Sequence, residues 1–212
     1  MAAVLANLVA EVLLTFDLHQ PIHALSRHAR ALRLVRWLLC TVALGWMGLN
    51  GGNAISGGDA TQLIAFMLFS ISAATDLETK TLPPDAFLYG ATLAGIGLHY
   101  WANGWAGLRH AVIAQAVCFS IITLCVAFLN LCDSGDIKLA MQFGAACGSL
   151  FALGIAVIGL WLACMLVVIG ALAVQLRRHP LRDAFRQAAR IQPPMGPLLC
   201  AGLLLAFQTG RP

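Results

Sequence analysis

An all-α, polytopic transmembrane helix bundle of about six to eight membrane helices is the fold class this sequence predicts. Three observations predict it. The 212 residues are 60% hydrophobic and 10% charged, where soluble domains carry about 25% charged residues. Apolar runs recur along the whole chain, separated by short polar segments. The basic residues concentrate in alternate polar segments, the asymmetry that membrane insertion imposes on loops.

The apolar runs, taken in order, cover about residues 2–16, 37–49, 61–75, 86–101, 110–131, 139–154, 155–175 and 197–209. Several are shorter than the roughly 20 residues a spanning helix needs, so flanking polar residues must complete them. Residues 2–16 are interrupted by Glu11 and have no basic segment before them. They read as a first membrane helix or an interfacial helix, not as a cleaved signal. The stretch 139–175 is too long for one ordinary span and predicts two helices joined by a tight turn near Gly154 or Gly159. No polar linker separates two domains, so residues 1–212 read as one unit. Residues 1–36 form its N-terminal helix and basic loop, and residues 37–212 its helical core.

Eleven of the thirteen basic residues, among them Arg27, Arg36, Lys80, Lys138, Arg177 and Arg190, fall in loops that eight alternating spans place on one side. Only Arg109 and Arg211 fall on the other. The first side is therefore expected to be cytoplasmic. Opposite it lie the Gly- and Asn-rich residues 50–59 and the segment Trp101-Ala102-Asn103-Gly104-Trp105, which suit short turns and an aromatic belt.

The net charge of +4 is small, and basic residues do not interleave with aromatics, which argues against nucleic-acid binding. The seven cysteines form no C-x-x-C pair, so neither a metal site nor a disulfide framework is expected, and no cofactor. Cys118, Cys125 and Cys132 repeat every seven residues and read as packing on one helix face. Gly144 and Gly148 form a G-x-x-x-G pair, expected to make a close helix contact, with approach of the Asp136 helix to the Asp76 helix as a second reading.

Two polar segments, residues 75–85 and 133–139, hold five of the nine carboxylates: Asp76, Glu78, Asp85, Asp133 and Asp136. They sit at the ends of apolar runs, where a carboxylate is costly unless it has a function. Asp76 closes the run 61–75, and Pro83-Pro84 then prevents the helix from continuing. Asp136 follows Ser134-Gly135 and opens the next run. Two carboxylates facing each other share a proton, one serving as base and the other as acid, and so can hydrolyse an amide. Each acid also suits a cap at a helix N-terminus. A cation-binding transporter would place carboxylates at the same depth. The residues alone leave these readings open.

The order of residues narrows them. Asp76-Leu77-x-x-x-x-Leu82-Pro83, then Gly135-Asp136-Ile137-Lys138-Leu139 followed by Phe143-Gly144-Ala145, resembles the type IV prepilin peptidases, membrane aspartic proteases of the GxGD class. Pro194-Met195-Gly196-Pro197-Leu198-Leu199 resembles the proline-rich start of the family's last helix. The resemblance covers roughly residues 61–209. It implies that Asp76 and Asp136 are the catalytic aspartates, with Gly135 as the motif glycine that lets the backbone pass close to substrate. Pro83 is a motif position, and Lys138 matches a motif lysine expected to balance charge locally. Glu78, Lys80 and Asp85 are expected to be solvated or capping.

The chain departs from the pattern in three places. Asp133 stands where the motif has Gly, Pro84 stands where Asn or Asp is common, and residues 17–36 lack the paired C-x-x-C motifs of longer members. His19, His23 and His28 on that basic loop read as solvated. The resemblance therefore implies a short form without the cysteine-rich cytoplasmic domain, and it leaves N-methylation of the cleaved terminus open, as the lesser expectation. It further implies a multi-pass protein of the bacterial inner (cytoplasmic) membrane with its active site on the cytoplasmic side. The implied partners are the lipid bilayer and prepilin or pseudopilin precursors, whose short basic leader is cleaved for type IV or Tad-type pilus or type II secretion assembly. A small cation-binding transporter and a catalytically inactive assembly relative are the competing classes.

Overall fold

The computed structural model describes residues 57–79, 83–125, 134–177 and 195–209, with isolated positions elsewhere. Among the described residues there are five helices and no strand: α1 Gly57–Thr79, α2 Asp85–Leu124, α3 Ser134–Cys147, α4 Leu150–Leu176 and α5 Met195–Thr209. Two of them, α2 and α4, are long and apolar enough to cross a membrane, and residues 60–76 and 195–209 form shorter apolar helices. Much of α2 and α4 has no protein cover. Phe151 and Leu166 on α4 are each 71% exposed, and Trp105 on α2 is as open. A soluble core helix would bury such a face; a lipid phase is the surrounding that covers it at no cost.

The α2 helix is bent back on itself. Gly104 has φ 60° and ψ −148°, a backbone state essentially confined to glycine. Gly95 lies against Ala145 of α3, and Gly144 of the same helix lies against Ala114, Gln115 and Cys118. A straight helix would separate residues 95 and 114 by about 28 Å. Neighbouring residues of α3 touch both, so the two arms of α2 form a hairpin that embraces α3. Each arm, 85–103 and 105–124, is about 28–30 Å long, close to the thickness of a bilayer's apolar core. The reversal falls within the 101–105 segment expected to turn.

The long apolar stretch 139–175 also breaks, but not at Gly154 or Gly159. The break is at Gly148-Ser149. Gly148 has φ 68°, and the Ser149 hydroxyl accepts from the Ala152 amide at 3.1 Å, capping α4. Gly154 and Gly159 lie inside α4, where Gly159 instead packs against Gly202 of α5. The turn needed both a left-handed residue and a capping side chain, and only Gly148-Ser149 supplies them side by side.

All five helices contribute to the core, α2 through Ala114 and Cys118. Phe66 meets Phe207 edge-on at 6.4 Å between ring centroids, and Phe69 meets Phe143 at 5.7 Å. Leu139 and Leu203 complete the centre. The close helix contact expected at the G-x-x-x-G pair is present, but its partner is α2 and not the Asp76 helix. Gly144 packs on the second arm of α2 and Gly148 on the His99 ring of the first arm. The pair brings α3 to α2, while phenylalanines bring α3 to α1.

Candidate functional site

The register between α1 and α3 decides where the two motif aspartates lie. Beside the Phe69–Phe143 contact, the Ser72 hydroxyl donates to Gln142 Oε1 at 2.7 Å, and Gln142 Nε2 donates to the Leu68 carbonyl at 3.1 Å. All these groups but the carbonyl belong to buried residues. The two helices run in opposite directions. The C-terminal end of α1 leads through a short connection to the start of α2, and Asp85 at that start reaches Lys138 in the first turns of α3. Asp76 lies seven residues beyond Phe69 on α1, and Asp136 lies seven residues before Phe143 on α3. Seven residues are nearly two full turns, so each aspartate returns to the face that carries its phenylalanine, about 10.5 Å away along the axis. In antiparallel helices those displacements point the same way. Asp76 and Asp136 therefore occupy one end of the α1–α3 pair, on the faces the two helices turn toward each other. Both are partly buried.

The electrostatics of the two positions differ. Asp136 is in the first turn of α3, where the helix dipole favours a carboxylate. Asp76 is in the last turn of α1, where the dipole disfavours one, and no basic residue shares that turn. The compensation comes from a third helix. The backbone amide of Gly196, in the first turn of α5, donates to Asp76 Oδ2 at 2.6 Å. The ends of α1 and α5 thus meet at Asp76, and the start of α3 with Asp136 lies at the same end of the α1–α3 pair.

Lys138 binds Asp85 Oδ1 at 2.6 Å. This hydrogen bond holds the lysine ammonium above its ordinary range. Asp85, expected to be solvated or capping, is exposed in the first turn of α2 and doubles as the partner of Lys138. Pro83 is buried between α1 and α2, and the Pro84 carbonyl accepts from the amides of Phe87 and Leu88, starting α2. Gly135 lies in the first turn of α3, next to Asp136. Asp133, Lys80, the Glu78 side chain and most of residues 1–56 and 178–194 lie outside the described residues, and with them the expectations for His19, His23 and His28.

Among the described residues no cluster of three or more His, Cys, Asp or Glu is placed to hold a metal ion. Sequence reasoning missed Ser72 and Gln142. Their signal was present: a serine and a glutamine inside apolar runs, each within two helical turns of a motif aspartate. Gly196 stood out only as part of a motif, because a backbone amide leaves no trace in side-chain chemistry. Comparison with family models, curated proteins and solved structures returns no match for this chain.

Proposed function

We propose that this chain is a membrane aspartic endopeptidase that removes the short basic leader from prepilin or pseudopilin precursors at the cytoplasmic face. The observation that carries the reading is the α1–α3 register, which sets Asp76 and Asp136 at one end of an antiparallel pair. The residue order around them, and the resemblance it bears, supplies the substrate class. In the proposed reaction one aspartate takes a proton from water as the water oxygen bonds to the amide carbon. The other gives its proton to the departing nitrogen as the C–N bond breaks, and the pair then exchanges a proton to reset. No metal or organic cofactor takes part in these steps.

The reading takes the two arms of α2 as separate spans, and the shorter apolar helices and apolar N-terminal runs as further ones. The charge asymmetry then places the aspartates on the cytoplasmic side. The precursor's apolar helix docks laterally against the bundle while its leader reaches the aspartates.

Co-expression with a leader-bearing prepilin tests this. Wild type is expected to convert the precursor to the mature form, and Asp76→Asn and Asp136→Asn are each expected to abolish conversion while still inserting. Processing that persists in either variant rejects the pair. Cleavage that depends on added divalent cation points instead to carboxylates acting as metal ligands.

A further inference from the structure

Asp76 is held by a helix that is not its own, and α5 is built to hold it. The residues before Met195 are Gln192, Pro193 and Pro194, so the position preceding α5 carries no side chain able to cap it. Pro197 removes one amide from the same turn. The Gly196 amide finds its acceptor 120 residues away in Asp76 Oδ2, at the short end of N–H···O distances. The approach demands glycine. A Cβ at position 196 would lie 2.7 Å from the Ala73 Cα, 3.0 Å from Asp76 Oδ2 and 3.2 Å from the Ala73 Cβ. The nearest of these atoms is backbone and cannot step aside. One hydrogen bond therefore serves two needs: it caps α5, and it anchors a carboxylate that the end of α1 disfavours.

We propose that Gly196 is the positioning residue for Asp76, its amide fixing the orientation of the carboxylate for hydrolysis. The hydrolytic part of this inference rests on the peptidase reading; the clamp itself does not. A carboxylate so fixed is pre-oriented, and its displacement slows the chemical step more than it weakens substrate binding.

Two measurements test it. Hydrogen–deuterium exchange of a peptide spanning residues 192–199, in the full-length protein in detergent, reads the clamp without any substrate. Asp76→Ala is expected to speed exchange of the Gly196 amide about tenfold. Asp76→Asn, which keeps an acceptor oxygen, is expected to stay near wild type. Equal exchange in wild type and Asp76→Ala overturns the clamp. Cleavage kinetics on a prepilin then read its use. Gly196→Ala is expected to lower kcat about a hundredfold with KM nearly unchanged, and Ala73→Gly in that background is expected to recover part of the loss. A change confined to KM, or no change, overturns the positioning role. If wild type cleaves no prepilin, the peptidase reading fails while the exchange experiment still decides the clamp.

Discussion

Gln142 is the residue on which the α1–α3 register turns. It is 2% exposed and spends both ends of its amide on α1, accepting from Ser72 and donating to Leu68. Phenylalanine contacts alone tolerate sliding; a two-ended hydrogen bond does not. Gln142→Leu is expected to destabilise the protein by about 1–2 kcal/mol, since the Ser72 hydroxyl loses its partner in an apolar interior. Adding Ser72→Ala is expected to cost less than the sum of the two single changes, because it removes the orphaned group. Thermal unfolding in detergent measures both. Strict additivity rejects a coupled pair. Lys138 and Asp85 make a weaker, wetter tie. A lysine whose folded value is raised gives its full contribution below the unfolded value, about 10.4, and loses it as pH rises through the folded one. The tie is thus intact at neutral pH and fails only in strong alkali. Lys138→Glu is expected to lower the midpoint of unfolding at pH 7, and Asp85→Lys in the same chain to restore it. A double variant no better than Lys138→Glu alone dismisses the tie.

Two glycines fix where helices reverse, and their surroundings predict unequal costs. Gly104 sits in a glycine-only backbone state with open space around its Cα, so Gly104→Ala pays strain alone, about 1–3 kcal/mol. Gly148 combines a left-handed φ with direct contact against the His99 ring, whose Nε2 lies 3.2 Å from the Ala146 carbonyl. Gly148→Ala must pay strain and also displace a buried ring, so it is expected to destabilise more than Gly104→Ala. His99→Ala is expected to recover part of that excess and nothing at position 104. Equal losses at the two glycines contradict the packing argument. The two reversals also mark how far the sequence could be read. The turn at 101–105 was legible because Asn, Gly and paired Trp interrupt an apolar run. The turn at Gly148-Ser149 was not, because Ala145, Ala146 and Cys147 before it are as apolar as a helix interior. Composition locates a helix end only where polarity changes; a left-handed residue followed by a cap leaves hydropathy untouched. The site was legible in the same partial way. Asp76 and Asp136 announce themselves as acids at apolar boundaries. Whether they share an end depends on pairing between distant helices, set by Phe69 and Phe143, which look like ordinary interior residues, and by Ser72 and Gln142, whose polarity stands out but does not name their partner.

At the scale of the molecule, every feature of the candidate site gathers at one end. Asp76, Asp136, Gly196 and the Lys138–Asp85 tie lie where α1 ends and α2, α3 and α5 begin. The opposite end holds the reversals at Gly104 and Gly148-Ser149. The arm 85–103 separates the two by about 28 Å, the thickness of an apolar bilayer core. If that arm spans the membrane, Pro84 and Trp105, both exposed, face opposite compartments. On the peptidase reading, with its charge asymmetry, Pro84 faces the cytoplasm. In a background whose seven cysteines are replaced, Trp105→Cys is expected to react with an impermeant maleimide in cells whose outer barrier has been opened. Pro84→Cys is expected to react only after the inner membrane is broken. Labelling of both before lysis means that the arm does not cross. Labelling of Pro84→Cys alone inverts the topology and puts the aspartates on the side away from a cytoplasmic leader. The peptidase reading requires the first outcome, because a leader held in the cytoplasm by its basic charge can be cut only by carboxylates that open to the same side.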